Sequence, residues 1–302
     1  MKQQSFTPIY EGLFPYKTEI AILKDYGGRR KKLSYCNRVR QSGLEVAEPF
    51  DKSENKSGKN ISSYTEKNTV NEEKLCNNLS RAKSTIQELA LCNDWQYFFT
   101  ATIDPTKYDR EDLPKFRKDF TRFCREKHAT KIDYLLIPER HANGGWHMHG
   151  FLSGIPPELL REFTLQECLP VALLKKLQQG KKIYDWSGYR NKFGFCVLEP
   201  VESPTAAAFY VTKYVTKDNS RNVQQMGGHL YYASQGLNRA KILKIGKMDV
   251  SAVKWDFENE YVKIKWYGFT EHPELLIQDD NTTRLLRQRR DAALGKEAQR
   301  DK

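Results

Sequence analysis

Two strand-forming stretches lie on either side of a short turn, and this pattern constrains the fold more than any other. The stretches are "KIDYLLIPE", residues 131–139, and "WHMHGFLSG", residues 146–154. Both are rich in the aromatic and β-branched side chains that favour strands. The Asn143-Gly144-Gly145 turn between them is typical of a hairpin, because these residue types tolerate positive φ angles. The sequence therefore predicts a long antiparallel hairpin in mid-chain.

Further elements on both sides of the hairpin complete a regular order. The stretch at residues 95–104 predicts a buried strand, and residues 113–127 predict a helix. After the hairpin we expect helical stretches within residues 157–179 and another strand at residues 192–200. The order strand, helix, strand, strand, helix, strand is typical of a ferredoxin-like or RRM-like α+β fold. We therefore predict an antiparallel sheet with flanking helices.

The predicted core domain covers residues 95–270, and the segments around it differ in composition. Residues 51–69 are polar and rich in Lys, Ser and Asn, which predicts a flexible linker after a basic N-terminal segment, residues 1–50. An apolar stripe at helical spacing follows the linker: Leu75, Leu79, Ala82, Ile86 and Leu89. It predicts an N-terminal helical extension, residues 70–94, that packs on the core. Residues 271–302 form a basic tail.

The balance of charge narrows the class of partner. The chain has 50 Lys and Arg against 38 Asp and Glu, a net charge of +12, which attracts nucleic acid. The basic cluster "GGRRKKL", residues 27–33, is either a phosphate contact or a solvated loop. No apolar run is long enough to span a bilayer, so we expect a cytoplasmic protein without a membrane partner. The six cysteines contain no C-x-x-C pair, so neither a zinc knuckle nor a disulfide framework is indicated.

Two histidines on the second hairpin strand are candidate metal ligands. His147 and His149 are two residues apart, so they share one face of a strand, while the apolar residues between and after them can face the core. Two imidazoles can hold a divalent cation together with carboxylate oxygen, and Glu139 on the partner strand is the candidate. A three-residue loop would pair Glu139 with His149, whereas a two-residue loop would point Glu139 away. The alternative is a chance pair of ordinary strand histidines.

A second group of functional side chains is expected on one helix, "SPTAAAFYVTKYVTKD", residues 203–218. Ser203 is a suitable N-cap and Pro204 suits the first helical position. At 100° per residue four side chains fall on one face: Tyr210, Lys213, Tyr214 and Lys217. The opposing stripe is apolar: Ala208, Val211 and Val215. A strand would separate the phenols from the lysines, and ordinary packing of two tyrosines is the other alternative.

These two groups suit one reaction. A phenol has a pKa of about 10, so its attack on phosphorus needs cationic neighbours and a polarised target. A divalent cation held by His147, His149 and Glu139 could bind and orient a phosphodiester. Lys213 or Lys217 could stabilise the phenolate or the pentavalent oxyphosphorane. The combination predicts transesterification at a phosphodiester.

The motifs "FFTATID", "GGWHMHG" and "YVTKYVTK" together resemble those of the HUH endonuclease superfamily, specifically rolling-circle replication initiators of bacteriophages and plasmids. The resemblance spans about residues 95–217, and "HLYYASQGL", residues 229–237, is similar as well. It implies a Mg²⁺ or Mn²⁺ ion at His147 and His149, with Glu139 as a less secure third ligand. It also implies roles on the helix, with Tyr210 and Tyr214 as nucleophiles and Lys213 and Lys217 as assisting residues.

The resemblance further implies the substrate and its fate. Such enzymes cut single-stranded origin DNA, form a 5′-phosphotyrosine, and leave a 3′-hydroxyl that primes synthesis until the covalent bond passes to another 3′-hydroxyl. The doubled Tyr-Val-Thr-Lys pattern resembles two-tyrosine initiators; if one tyrosine suffices, Tyr214 is slightly preferred. The chain carries no P-loop motif, so unwinding needs a host helicase, and synthesis needs a DNA polymerase.

Two other functions stay open from the sequence. A relaxase or transposase of the same superfamily would use the same chemistry on transfer origins or element ends. A non-catalytic RRM-like module would instead stack bases on the aromatic strand, residues 95–104. The sequence lacks the aromatic RNP motif of an RRM, and base stacking does not account for an H-x-H pair.

Overall fold

A computed structural model describes residues 16–39, 72–126, 131–140, 144–216, 229–259 and 262–278. They form an α+β structure with two antiparallel sheets, each within its own compact unit. No helix in these ranges has the length and apolarity to cross a lipid bilayer. Within the same ranges, no disulfide joins the cysteines.

The strands, in chain order, are β1 (Tyr16–Tyr26), β2 (Arg30–Val39), β3 (Tyr97–Thr102), β4 (Asp133–Arg140), β5 (Trp146–Ser153), β6 (Leu160–Glu162), β7 (Tyr184–Trp186), β8 (Cys196–Pro200), β9 (Tyr232–Ala233), β10 (Lys241–Gly246), β11 (Phe257–Glu258) and β12 (Val262–Gly268). The α-helices are α1 (Glu72–Cys92), α2 (Leu113–Glu126), α3 (Val171–Gln178), α4 (Ser187–Lys192) and α5 (Pro204–Val211). Short 3₁₀ helices cover Pro157–Leu159, Thr212–Tyr214 and Pro273–Leu276.

The larger unit is built on a sheet with the order β6-β7-β8-β3-β5-β4-β9. Its four central strands run β8-β3-β5-β4, all antiparallel to their neighbours. In chain order this is the fourth, first, third and second strand, with helices in the two crossovers, as in a ferredoxin-like sheet. The predicted α+β fold class with flanking helices is confirmed.

The long helical stretch predicted for residues 157–179 is wrong over most of its length. Only α3 is helical there, and Pro170 lies immediately before its first turn. The earlier residues form a 3₁₀ turn and the edge strand β6, because prolines at the start favour extended backbone before them. Strand β8 also begins at Cys196 rather than at residue 192, since α4 occupies the preceding residues.

The β4–β5 hairpin has a longer loop than the three residues predicted from its glycines. The last pair is Arg140 with Trp146, where the guanidinium lies 5.8 Å from the indole ring. Glu139 therefore pairs with His147, not with His149. A shift of two residues keeps every side chain on its face, so Glu139 still lies on the face of the histidines. Residues 141–143 of the loop lie outside the described residues.

The two faces of this sheet are covered by different helices. One face packs against α2 and α4 through a large aromatic core that includes Phe99, Phe116, Phe120, Met148, Trp186, Tyr189 and Phe193. Residues that alternate with these in β3 and β5 point to the other face, which α5 partly covers. Helix α1 contacts α5 and β4, and its predicted stripe is buried at Ala82, Ile86 and Leu89.

The smaller unit contains the N-terminal hairpin and the strands after residue 240. Its sheet has the order β10-β1-β2-β12-β11, so strands far apart in the chain pair with each other. The sequence analysis instead grouped residues 241–270 with the core, because nothing local indicates such distant pairing. The predicted linker and the tail beyond residue 278 lie outside the described residues.

The basic cluster at residues 27–33 is not a loop, and that interpretation is wrong. Gly27 and Gly28 have φ angles of 65° and 69° and form the hairpin turn, a conformation that glycine adopts at little cost. The following Arg30–Leu33 stretch belongs to β2. Leu33 packs in a small core with Ala21 and Leu23.

Candidate active site

His149 lies at the centre of β5, where strands pair with it on both sides. Its Nε2 atom is 2.7 Å from Oε2 of Glu139, and its Nδ1 atom is 3.4 Å from Oγ1 of Thr100. The side chain is 7 % exposed, so these oxygens and the packing fix the orientation of the ring. The predicted association of His149 with Glu139 is thus present, although Glu139 reaches it diagonally across the hairpin.

His147 lies on the same face, 6.5 Å from His149 between ring centroids. It is more exposed than His149, and its Cα lies opposite Glu139. Within the described ranges, no three His, Cys, Asp or Glu side chains form a metal-binding cluster. The 2.7 Å between His149 and Glu139 is nevertheless close to the spacing of about 3.0 Å between adjacent ligands of an octahedral Mg²⁺. The donor types and this pair are compatible with a hard divalent cation.

The predicted tyrosine helix is present, with the predicted cap. Oγ of Ser203 accepts a hydrogen bond from the backbone N–H of Ala206 at 3.3 Å, and Pro204 is the first helical residue. The α-helix ends at Val211, and one 3₁₀ turn continues to Tyr214. The predicted apolar stripe is buried at Ala208, Val211 and Val215. Helix rather than strand is therefore correct.

This helix brings both predicted phenols next to His149. The ring of Tyr214 stacks on His149 with 3.9 Å between centroids and 4° between planes. The hydroxyl of Tyr214 donates a 3.4 Å hydrogen bond to the hydroxyl of Tyr210. Tyr210 in turn meets Phe98 of β3 edge to face, 5.6 Å between centroids.

One of the two predicted lysines lies beside the phenols. Nζ of Lys213 donates a hydrogen bond to the hydroxyl of Tyr210. It also lies 3.7 Å from the ring centroid of Tyr210 and 4.7 Å from that of Tyr214. Lys217 falls outside the described residues.

The two phenols differ in acidity, which their equivalent spacing in the sequence did not indicate. Burial raises the pKa of Tyr210, but the hydrogen bonds from Lys213 and Tyr214 outweigh it, so its net pKa is below the ordinary value. Burial and the hydrogen bond to Tyr210 raise the pKa of Tyr214, and the carboxylates of Glu139 and Glu199 add to the increase. Tyr210, which is 49 % exposed, is therefore the phenol that ionises more readily.

A cleft of about 1020 Å³ opens beside the phenols and contains residues that the sequence analysis missed. Strands β3 and β8 and helix α5 line it, together with the end of α3. Lys176 of α3 forms an ion pair with Glu199 of β8, with Nζ to Oε distances of 2.7 and 2.6 Å. The two residues are 23 positions apart, and no spacing rule in the sequence connects them.

Comparison with known families agrees with this site. Residues 96–219 match the family model of replication-associated proteins of the ORF2 type, a range that includes the histidines and both tyrosines. The match covers less than half of the chain and supports a family of replication initiators that acts on DNA. No curated protein and no solved structure matches the chain.

Proposed function

We propose that the chain is a metal-dependent endonuclease and strand transferase of the HUH type, which nicks and rejoins single-stranded origin DNA to initiate and terminate rolling-circle replication. One observation carries the proposal: a phenol stacks 3.9 Å from an imidazole, and that imidazole lies 2.7 Å from a carboxylate. Metal-ligand chemistry and a nucleophile thus meet at one place. The family match over residues 96–219 supports replication as the process.

Tyr210 is the first nucleophile in this proposal, because it is the more acidic and more exposed phenol. Its phenol loses a proton to water, and the resulting oxygen attacks phosphorus. A bond forms between Oη and phosphorus, the bond from phosphorus to the 3′ oxygen breaks, and the 3′ oxygen takes a proton from water. Lys213 stabilises the phenolate by its hydrogen bond.

Tyr214 serves in the second transfer, when another phosphodiester must be cut while the first strand is still held. Its hydroxyl lies 3.4 Å from that of Tyr210, so both phenols can reach the same phosphoryl group. Lys217, the other lysine of the doubled motif, stays a candidate for assisting this step.

His147, His149 and Glu139 would hold the Mg²⁺ or Mn²⁺ ion. When bound, such an ion supplies Lewis-acid polarisation of a non-bridging phosphate oxygen. Thr100 and Tyr214 contact His149 at one ring nitrogen and one ring face, and they keep the imidazole oriented towards Glu139.

A relaxase or transposase would share this chemistry, but the replication family match favours an initiator. The RRM-like binding module is disfavoured by packing. An RRM binds with the sheet face that its crossover helices leave open, and here Tyr210 and Tyr214 of the helical segment lie on that face. As an initiator, the protein would act in the cytoplasm with a host helicase and DNA polymerase.

The test is covalent capture. The protein is incubated with Mn²⁺ and single-stranded oligonucleotides tiled across the DNA molecule that encodes it, and denaturing gels are scored for a protein–DNA adduct. We expect an adduct with the wild type and with the control Tyr231→Phe, and none with the double variant Tyr210→Phe/Tyr214→Phe. An adduct of wild-type yield in the double variant would refute the assignment. A mobility shift without any adduct would favour a binding module.

A further inference from the structure

The cleft beside the phenols has a second wall that is rich in lysine. Opposite α5, the wall consists of Lys176 near the end of α3 and of Lys181 and Lys182 just after it. We refer to these three residues as the lysine wall. Between the lysine wall and the phenols lies a floor that includes Phe98 and Glu199.

The backbone after α3 explains why the three lysines share one wall. The N–H of Gly180 donates to the carbonyl of Leu177 at 2.9 Å, and the N–H of Lys181 donates to the carbonyl of Lys176 at 3.1 Å. These are the two hydrogen bonds of a Schellman motif, and the φ of 77° at Gly180 is the left-handed conformation that the motif requires. The motif stops the helix and returns the chain beside its own last turn.

Two of these lysines are already engaged with carboxylates. Lys176 contacts both oxygens of Glu199, and Lys181 lies 3.6 Å from Glu202. Lys176 is 40 % exposed and Glu199 27 %, and ion pairs so open to water stabilise a fold very little. A phosphate can therefore replace the carboxylate at low cost, because it offers the same anionic oxygen acceptors.

The geometry points to the lysine wall as the binding site for the sugar–phosphate backbone of the single DNA strand that reaches the phenols, with Lys176 exchanging Glu199 for a phosphate. This inference rests on the proposed function and deepens it. Glu199 keeps Lys176 pointed into the cleft when no DNA is bound, and it competes with DNA when the strand arrives. The charge of Lys176 also acts on Tyr210, whose acidity it increases. Strand binding and nucleophile therefore share one cleft.

Binding is measured without metal, in EDTA, by fluorescence anisotropy with oligothymidylate of about 15 nucleotides, a length suited to one binding groove. We expect the triple variant Lys176→Gln/Lys181→Gln/Lys182→Gln to bind at least about tenfold more weakly. Each lost phosphate contact on a single strand lowers the salt dependence by about 0.7, so the slope of log K against log salt should fall by about 2. Lys118→Gln, an exposed lysine on α2, is the matched control and should bind as the wild type does.

Glu199→Gln gives the sharper test because its expected sign is opposite. Without the competing carboxylate, it should bind the oligonucleotide about threefold more tightly. If it binds as weakly as Lys176→Gln, the pair is a structural contact and the inference fails. It also fails if the triple variant keeps wild-type affinity and salt slope, or if it loses affinity for duplex DNA as strongly as for single strands. Circular dichroism confirms folding, and the single variant Lys182→Gln, with a slope change of about 0.7, substitutes for a triple variant that fails to fold.

The outcome is independent of the chemistry, because the same binding series is run in the Tyr210→Phe/Tyr214→Phe background. Lysine effects that persist while the wild type never forms an adduct would overturn the proposed nicking activity and keep the lysine wall. Adduct formation together with unchanged binding in the triple variant would overturn the lysine wall alone.

Discussion

The two faces of the central sheet are made by the same strands and serve different purposes. On the face towards α2 and α4, Phe99, Trp146 and Met148 are fully buried among aromatic rings. On the face towards α5, their neighbours Phe98, Thr100 and His147 are partly exposed and border a cleft. Alternation of side chains along a strand allows both, because residues i and i+1 never share a face. Stability and chemistry are therefore separable by substitution.

The closed face is dense with ring contacts. Phe120 stacks on Phe99 and Phe116 with centroids 6.3 and 5.8 Å apart, and meets Tyr134 edge to face at 5.4 Å. The open face instead holds its few contacts at one end of a short helix. The comparison predicts that changes on the closed face lower stability, whereas changes on the open face lower activity at nearly constant stability.

The largest effect is expected from Phe120→Ala on the closed face. Removing a ring that is 1 % exposed leaves a cavity, and such changes cost about 3–5 kcal/mol. Urea denaturation followed by tryptophan fluorescence measures the free energy of unfolding. Tyr210→Phe on the open face is the counterpart and should change it by less than about 1 kcal/mol. Equal losses in both variants would contradict the division between the faces.

His149→Ala should lower the initial rate of adduct formation by at least about 100-fold, because it removes a proposed metal ligand and the ring on which Tyr214 stacks. The rate is measured at saturating Mn²⁺ by quantifying adduct on denaturing gels. His272→Ala, an exposed histidine, serves as control and should react normally. Wild-type rates in His149→Ala would show that the open face is not catalytic.

Lys213→Met should reduce adduct formation about tenfold at neutral pH, the lower end for a hydrogen bond to a charged group, since both partners are exposed. The ammonium of Lys213 holds the pKa of Tyr210 below its ordinary value. The rate should rise with pH as Tyr210 ionises, and without Lys213 the rise should occur at higher pH. The pH profile of the initial rate measures this, with Lys118→Met as control. An unshifted profile would exclude Lys213 from activating Tyr210.

The smallest effect is expected at the helix cap. Ser203→Ala removes the side-chain acceptor for the N–H of Ala206, and lost caps cost about 1 kcal/mol. Native-state hydrogen exchange should show faster opening of α5 and unchanged protection of α2. Ser203→Asp, another good cap residue, should restore α5 protection. Equal loosening of both helices would mean that the faces do not open independently.

The sequence predicted the central fold and most of the candidate site, because those features depend on local spacing. The alternation around His147 and His149 and the Ser-Pro start of α5 are physical rules that hold within one element. They were sufficient for the ferredoxin-like order and for the shared face of Tyr210 and Tyr214. The loop length at Gly144 was wrong by two residues, and parity protected the face of Glu139 from that error.

What could not be predicted depends on distant pairing. The N-terminal hairpin pairs with strands more than 200 residues away, and Lys176 meets Glu199 across a cleft. Neither has a periodic signature in the sequence. The inequality of the two phenols also arises from their three-dimensional surroundings, since Lys213 contacts the hydroxyl of Tyr210 and Tyr214 lies near two carboxylates.

The central claim is that the phenol pair beside His149 forms the covalent bond to DNA. Mass spectrometry of the DNA-linked peptide after protease digestion tests it most directly. The account predicts linkage to Tyr210 in the wild type and to Tyr214 when Tyr210 is replaced by Phe. Linkage to a residue outside this pair would contradict it.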